Sequence, residues 1–399
     1  MPVLLQNSLE GILADIADFD YNPLIAEMDG SIFDGCCGLS LFFYHMYRYS
    51  SQNKYYEKAR DFLQLAFDKL DPRLLNLSYG VTGAMWILNY YSKIAAFDDD
   101  YTEDLETFDA SLEERIEVYA TNMDTMHGLL SIANYLFTRN TITARKCLDR
   151  ILELLDESKV EVDQGIAWLG NGTVGADDEE QYYSFGYAHG VPAILYFLSC
   201  YMQEGIQVKR ASSLFREGMS FFLSNMNNGF PTYFPTVVQK KGMRRTERLS
   251  YCYGDLGIAC GMTAIANKLH DPELLAKAAM VSRNIAEISL SRDIADVSDI
   301  GLCHGAAGNG FMFAQLQKTH QLEVLGLAAL QQFQRLTTIR KAGTGIVGYS
   351  SIHYDKKIES YYHKADPGFI NGTAGVGLSI IAYLTNGSIR DWDTILYLR

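Results

Sequence analysis

Cys303 and His304 are adjacent residues that can both bind a metal ion, and they lie in the glycine-rich stretch 301–310. Thiolate sulfur and imidazole nitrogen are ligands that zinc prefers. Glycine allows backbone conformations and close approaches that other residues cannot adopt. The stretch therefore predicts a loop that turns both side chains toward one point, before the apolar residues from Phe311 onward begin a helix.

Three more reactive side chains stand at or just before other glycine motifs: Cys252, His189 and Asp124. Cys252, Cys303 and His304 make a set of two cysteines and one histidine. Three such protein ligands with one open position are typical of a catalytic zinc site. The competing interpretation is that each cysteine is a small buried apolar residue and each histidine an ordinary loop residue. Their shared position beside glycine motifs favours the metal site.

His127, Cys36 and Cys37 are rival ligands. His127 also directly precedes a motif glycine, and the two cysteines lie inside the first motif. For these three residues a structural role is the better interpretation.

The motif Gly-x-x-Gly, or a near variant, recurs along the chain and is followed each time by about ten apolar-rich residues. The copies begin at Gly35, Gly80, Gly128, Gly190, Gly254, Gly305 and Gly372. Amphipathic stretches with helical spacing lie between the motifs, for example at residues 54–70, 274–288 and 322–336. A recurring motif of this kind predicts a repeat fold in which each unit is a pair of helices.

The predicted fold class is all-α, with an amphipathic outer helix and an apolar inner helix in each repeat. Seven pairs can close into an α/α toroid with every glycine loop at one end of the central cavity, although the period also fits an open solenoid. We predict a single toroid domain over residues 1–399. A small irregular or extended excursion is expected at about residues 226–248, where turn residues and strand formers replace the helical period and the basic cluster 240–245 follows.

The amino-acid composition and net charge exclude some classes of function. The chain is 48% hydrophobic and 12% aromatic, which is ample for a core, and its net charge of -14 argues against a general nucleic-acid groove. The odd number of cysteines, seven, with irregular spacing suits free thiols in a reducing compartment. We find no signal peptide pattern at the N-terminus and no apolar run of the roughly 18–20 residues that a membrane span needs. The expected location is the cytoplasm.

The motifs Tyr-Cys-Tyr-Gly around Cys252 and Leu-Cys-His-Gly around Cys303, with Ala-His-Gly ending at Gly190, resemble those of the lanthionine synthetase C-like proteins. These are the lanthipeptide cyclases and their eukaryotic relatives, and the resemblance extends through the seven repeats. It implies an α/α toroid holding one Zn²⁺, with Cys252, Cys303 and His304 as the ligands.

The resemblance also implies roles for residues around the metal. His189 and Asp124 match the acid–base positions of the family, and Arg248 matches its active-site arginine. Two positions depart from the family pattern: Tyr251 stands where tryptophan is usual, and Leu256 where proline is frequent. Both are packing positions beside the site, so they bear on pocket shape and substrate preference.

The implied activity is zinc-dependent formation of thioether rings. A cysteine of a precursor peptide adds to a dehydroalanine or dehydrobutyrine of the same peptide, giving lanthionine or methyllanthionine. The implied partners are the dehydrated precursor peptide with its leader and a separate dehydratase. The resemblance also implies peripheral association of the protein with a membrane-bound biosynthetic complex. The basic cluster 240–245 is one expected docking place for the leader.

Three alternatives remain open at this point. The same site could add glutathione or another small thiol to dehydroamino acids, as the eukaryotic relatives are thought to do. The toroid could be a non-catalytic peptide-binding scaffold with structural zinc, which a fourth protein ligand would indicate. A glycosidase of the α/α-barrel type would need paired carboxylates, and Asp124 has no acidic partner in a matching repeat position.

Overall fold

The computed structural model describes residues 2–170, 181–204, 207–227, 231–291, 299–355 and 359–398. Over these ranges the chain forms fourteen α-helices, three short 3-10 helices and seven short strands. The α-helices alternate along the chain between an amphipathic type and a buried type that follows a glycine motif. Within the described ranges, no helix is both long and apolar enough to cross a membrane.

Seven buried helices begin directly at the predicted glycine motifs. They are α2 (Cys36–Ser50), α4 (Val81–Lys93), α6 (Leu129–Thr138), α8 (Val191–Glu204), α10 (Asp255–Leu269), α12 (Ala306–His320) and α14 (Thr373–Leu384). In α10, for example, every residue from Asp255 to Ala266 is buried. A helix that is buried on all sides must be surrounded by protein. These seven are therefore the predicted inner helices.

Seven further helices alternate with them. They are α1 (Val3–Asp18), α3 (Asn53–Lys69), α5 (Thr102–Arg115), α7 (Ile142–Ser158), α9 (Val208–Ser224), α11 (Pro272–Ser291) and α13 (Glu323–Ile339). The predicted amphipathic stretches correspond to α3, α11 and α13. In α3 the buried residues are Tyr55, Ala59, Phe62, Leu63 and Ala66. Their spacing of three and four residues places them on one face, so burial follows the helical period read from the sequence.

The chain divides into two compact units. One consists of Met1–Asp71, Arg248–Tyr251 and Ser282–Asp393, and the other of Pro72–Glu247, Cys252–Val281 and Thr394–Arg399. In the first unit the last inner helix, α14, packs against both α2 and α12. The first and last repeats therefore contact each other within this unit. In the second unit α4, α6, α8 and α10 pack in chain order.

The strands form three small antiparallel sheets. They are β1 (Val160–Val162) with β2 (Gly165–Ala167), β3 (Tyr182–Ser184) with β4 (Val237–Gln239) and β5 (Gly242–Arg244), and β6 (Ser351–Asp355) with β7 (Ser360–Lys364). The expected extended excursion contains β4 and β5, and β4 pairs with β3. Residues 228–230 of that excursion lie outside the described ranges. The other two sheets were not predicted.

A carboxylate of α10 anchors this excursion. Both oxygens of Asp255 accept backbone hydrogen bonds, from the nitrogen of Tyr233 at 2.7 Å and of Phe234 at 3.1 Å. Burial raises the pKa of Asp255 to about 6, despite these two hydrogen bonds. The excursion is therefore tied to the first residue of α10, directly after the Cys252 loop.

Gly308 in the first turn of α12 has no room for a side chain. A Cβ atom there would overlap the carbonyl oxygen of Leu302. Because the obstacle is backbone, we expect Gly308→Ala to lower the free energy of unfolding by about 3 kcal/mol, measured by urea denaturation. Gly11→Ala in α1 is the control, since nothing lies within 4 Å of its Cβ position. That change should stabilise the protein by roughly 0.5–1 kcal/mol. Equal effects of the two substitutions would contradict this packing argument.

Candidate metal centre

The loop before α12 holds Cys303 and His304 at its tip. The amide nitrogens of Gly305 and Gly308 donate to the carbonyl oxygen of Gly301 at 3.0 and 3.2 Å. These bonds fold the loop back over the start of the helix and satisfy amides that have no partner inside it. The predicted loop therefore takes its shape from the hydrogen bonds that cap the first turn of α12.

Two backbone contacts fix the position of this loop tip. The amide nitrogens of Leu302 and Cys303 both donate to the carbonyl oxygen of Ile370, at 2.8 and 3.1 Å. The amide nitrogen of Tyr251 donates to the carbonyl oxygen of Cys303 at 2.7 Å. Because Cys252 follows Tyr251 directly, the second contact brings the two cysteines together.

The three predicted ligands converge. One ligand atom each of Cys252, Cys303 and His304 lies within 4.8 Å of the others. A tetrahedral zinc ion with metal–ligand distances of about 2.0–2.3 Å would hold its ligand atoms about 3.3–3.8 Å apart. Small side-chain movements suffice to close the observed spacing, and two thiols with one imidazole are a donor set that zinc favours. The residues present therefore fit a zinc ion.

Asp299 orients the histidine ligand. Its Oδ2 lies 2.7 Å from Nε2 of His304, and its Oδ1 accepts the amide of Ile300 at 2.7 Å. Burial acts to raise the pKa of Asp299, but the hydrogen bond and charge of His304 outweigh burial, and the pKa is lowered. With Nε2 held by the carboxylate, Nδ1 is the nitrogen that can bind a metal.

The sequence interpretation missed Asp299, although a signal existed. Asp299 lies six residues before the motif glycine Gly305, as Asp29 lies six before Gly35. Asp366 has the same offset from the seventh motif, and it too pairs with a histidine, Nε2 of His353 at 2.9 Å. A carboxylate at this offset caps the loop, so its recurrence could have been read from the repeat.

His189 and Asp124 form an ion pair. Nδ1 of His189 lies 2.5 Å from Oδ2 of Asp124, and the other carboxylate oxygen accepts the amides of Met126 and His127. Burial disfavours the charged form of each side chain, but the mutual attraction and the hydrogen bond of the pair have the larger combined effect. The pKa of Asp124 is lowered and the pKa of His189 is raised. The pair therefore favours an ionised carboxylate and a protonated imidazole.

This ion pair lies beside the loop of the first cysteine ligand. The ring of His189 stacks on that of Tyr253, with centroids 5.2 Å apart. The negative charge of the Cys252 thiolate also contributes to the raised pKa of His189. The proton on His189 is thus held next to a segment that carries a metal ligand.

The rival ligands take structural positions. His127 stacks against His189 at 6.1 Å and its Nδ1 contacts the hydroxyl of Ser78 at 2.6 Å. Burial lowers the pKa of His127. Cys36 and Cys37 are fully buried, and burial raises the pKa of Cys36 to about 11. Among the described residues, none of the three joins the cysteine–histidine group.

Arg248 is exposed in the coil that leads to Tyr251. The two positions that depart from the family pattern, Tyr251 and Leu256, are 2% and 0% exposed. Both are therefore packing positions, as expected from the sequence.

Comparison with known proteins agrees with this geometry. The family model described as "Lanthionine synthetase C-like protein" matches residues 26–397. The solved structure "Nisin cyclase" superposes with a TM-score of 0.71 at 15% identity, covering 100% of this chain and 98% of that chain. A search of curated proteins finds no match.

The structural likeness confirms the predicted all-α fold, an α/α toroid. At 15% identity this structural likeness is evidence for the fold alone. The family model carries the assignment, because it spans most of the sequence. The chain belongs to the lanthionine synthetase C-like protein family, whose enzymes are lanthionine-forming cyclases.

Proposed function

We propose that this chain is a zinc-dependent lanthipeptide cyclase. It adds a cysteine thiolate of a dehydrated precursor peptide to the β-carbon of a dehydroalanine or dehydrobutyrine in the same peptide. The observation that carries the proposal is the convergence of Cys252, Cys303 and His304, with ligand atoms within 4.8 Å of one another. These three residues would hold one Zn²⁺ and leave a fourth position for the substrate sulfur.

The substrate thiol needs activation, because a free cysteine with a pKa near 8.5 is mostly protonated at neutral pH. Bound zinc would supply this by favouring the thiolate form of the substrate cysteine. The protein contributes a fixed ligand set. The Cys303 loop is held by Ile370 and Tyr251, and His304 is oriented by Asp299.

His189 is the proposed proton donor. The substrate thiol gives up its proton to solvent, and His189 recovers a proton from solvent after each turnover. The thiolate electron pair forms the new C–S bond, the π electrons of the C=C bond move toward the α-carbon and its carbonyl, and a proton must then complete the α C–H bond. Histidine is suited to donate it near neutral pH. Burial acts to lower the pKa of His189, but the charge and hydrogen bond of Asp124 raise it and keep that proton available.

Asp124 and Arg248 have supporting roles in this proposal. Asp124 orients the His189 ring through the 2.5 Å contact and stabilises its positive charge. Arg248 stabilises the negative charge that develops on the enolate oxygen. Neither role requires a covalent bond to the substrate.

The ligand count favours an enzyme over a scaffold with structural zinc. Structural zinc sites are usually completed by four protein ligands. In the described part of the chain, the group has three members, Cys252, Cys303 and His304. The glycosidase alternative is not supported either, because Asp124 pairs with a histidine and not with a second carboxylate.

Mass spectrometry tests the proposed activity. The purified zinc-loaded protein is incubated with a dehydrated cysteine-containing peptide and then with a thiol-alkylating reagent. Each ring formed should leave one cysteine unalkylated without changing the peptide mass. If glutathione is present and adds to the peptide while no rings form, the cyclase proposal is wrong and the small-thiol alternative replaces it.

Asp299→Asn is expected to weaken zinc binding by about 10–100-fold, because the ligand His304 loses the carboxylate that fixes its orientation. The measurement is competition for zinc with a chromophoric chelator, which does not depend on activity. Asp366→Asn is a matched control, since Asp366 has the same loop position and also pairs with a histidine. An unchanged zinc affinity in Asp299→Asn would exclude the orienting role.

The surroundings of the reaction follow from the same proposal. The proposed partners are a dehydrated precursor peptide with its leader and a separate dehydratase. The protein would also associate peripherally with a membrane-bound biosynthetic complex. No disulfide joins any of the seven cysteines, all of which lie in the described ranges, and this supports a cytoplasmic, reducing location. The basic cluster 240–245, which includes the exposed Lys240, Lys241 and Arg244, is the proposed contact for the leader.

A further inference from the structure

The hairpin of β6 and β7 carries exposed aromatic side chains. Tyr354, Tyr361 and Tyr362 are 49%, 73% and 44% exposed. Tyr354 and Tyr361 lie opposite each other in the register, with ring centroids 5.0 Å apart, so their side chains share one face of the hairpin. Tyr362 lies opposite His353, so its side chain is on the other face. Exposed tyrosines that gather on one small element are typical of binding surfaces, because they combine a large apolar ring with a hydroxyl.

The base of this hairpin is fixed to the loop that begins α14. The hydroxyl of Ser351 donates to the carbonyl oxygen of Asn371 at 2.5 Å, and Nε2 of His353 lies 2.9 Å from Oδ2 of Asp366. Asp366 is buried, with 3% exposure. The hairpin is therefore attached to the body of the protein by a partly buried contact between His353 and Asp366 as well as by its backbone.

The same loop supports a metal ligand. Ile370, next to Asn371, accepts the backbone hydrogen bonds of Leu302 and Cys303 through its carbonyl oxygen. Asn371 thus contacts the hairpin, and its neighbour Ile370 contacts the Cys303 loop. The hairpin and the Cys303 loop are therefore anchored to two neighbouring residues, Asn371 and Ile370.

A peptide is the occupant that this surface fits. The sheet of β6 and β7 has two strands in the described part of the chain, so each strand has an edge whose backbone groups can pair with an extended segment. A ring-forming substrate must be unfolded and extended when it enters the site. A segment held across the tyrosines would keep the neighbouring residues of the same peptide close to the metal ligands.

We propose that the β6–β7 hairpin is a docking surface for the substrate peptide, which lies in extended form against the face that carries Tyr354 and Tyr361. This inference rests on the proposed cyclase function, because that function supplies the peptide. The hairpin residues 356–358 lie outside the described ranges and are not part of the surface.

The test compares peptide affinity with turnover. The variant Tyr354→Ala/Tyr361→Ala changes exposed side chains, so its fold and zinc content should be preserved. The binding probe is a fluorescein-labelled synthetic peptide with one dehydroalanine and no cysteine, followed by anisotropy. We expect its affinity to fall by at least about tenfold, and KM for a cyclisable peptide to rise similarly with kcat within about twofold.

Two further variants make the result specific. Val118→Ala removes an exposed apolar side chain, 79% accessible, from a different element and should leave affinity unchanged. Lys240→Ala/Lys241→Ala/Arg244→Ala removes the exposed basic cluster. If only the basic variant loses affinity for the probe, the docking inference is wrong.

The outcomes separate docking from catalysis. Tyrosine-dependent binding by a protein that forms no rings would support the surface and refute the cyclase proposal. Normal binding and turnover in the double tyrosine variant would refute the surface and leave the cyclase proposal intact. A native protein that neither binds the probe nor cyclises a peptide would refute both.

Discussion

Replacing Cys303 with alanine is expected to abolish both zinc binding and ring formation. The substitution removes one of three protein ligands whose atoms lie within 4.8 Å of one another. Two remaining ligands cannot hold the ion in the tetrahedral arrangement that zinc prefers. We expect sub-stoichiometric zinc in the purified variant, measured by atomic emission. Cyclisation of a dehydrated peptide should fall on the order of a thousandfold or more.

Cys260→Ala provides the matched control. Cys260 is a buried free thiol of α10, eight residues after Cys252, and it is outside the group of ligands found among the described residues. Its loss should cost a little packing energy and leave the zinc content unchanged. A Cys303→Ala protein that kept full zinc and normal cyclisation would show that the converging side chains are not the reaction centre.

The convergence of the three candidate ligands was predictable because the repeat relates position in the chain to position in space. Cys252, Cys303 and His304 precede glycine motifs at short offsets, and the helices that follow those motifs start from the same kind of loop. Residues at equivalent offsets therefore meet once the inner helices are packed side by side. The same reasoning brought His189 and Asp124 forward as candidates, and the structure places them in contact.

Asp299 and His353 escaped prediction for different reasons. Asp299 sits at an offset from the motif glycine that Asp29 and Asp366 share, and the prediction from the repeat missed it because only residues within four positions of a motif were considered. His353 lies on β6, outside every glycine motif, and its contact with Asp366 depends on how the hairpin folds back. Long-range pairing of this kind is set by tertiary packing and not by local pattern.

The helices were easier to predict than the sheets. The apolar period of α3, α11 and α13 is visible in the sequence, because one face of each is buried. In β6 and β7 the exposed tyrosines replace the alternation of apolar and polar residues that indicates a half-buried strand. The contact of α14 with α2 was also undetermined, since the repeat period alone fits both an open and a closed arrangement.

The second large effect is expected at the ion pair of His189 and Asp124. His189→Asn should lower kcat for cyclisation by about 10²–10³-fold, because amide nitrogen cannot donate a proton to the enolate. Zinc content should stay at the native level, since His189 is not one of the three ligands. The decisive measurement is therefore single-turnover cyclisation at matched zinc occupancy. A variant with a native rate would remove His189 from the proton-transfer step.

Asp124→Asn separates the role of the carboxylate from that of the imidazole. The proton donor is the protonated His189, so the rate of the native enzyme should fall as the pH rises through the pKa of this group. Burial lowers the pKa of His189, and the charge and hydrogen bond of Asp124 oppose it. Without that carboxylate the pKa of His189 decreases, and the alkaline limb of the kcat profile should move to lower pH.

The pH profile also distinguishes two ways in which Asp124→Asn could reduce activity. A variant whose only defect is a misplaced ring would lose rate equally at every pH, whereas loss of the stabilising charge predicts partial recovery in acid. His127→Asn serves as the neighbouring control, because His127 stacks on His189 at 6.1 Å but is not proposed to donate the proton. If His127→Asn reproduced the shift of Asp124→Asn, the proton would have to be assigned to the stacked histidines together and not to His189 alone.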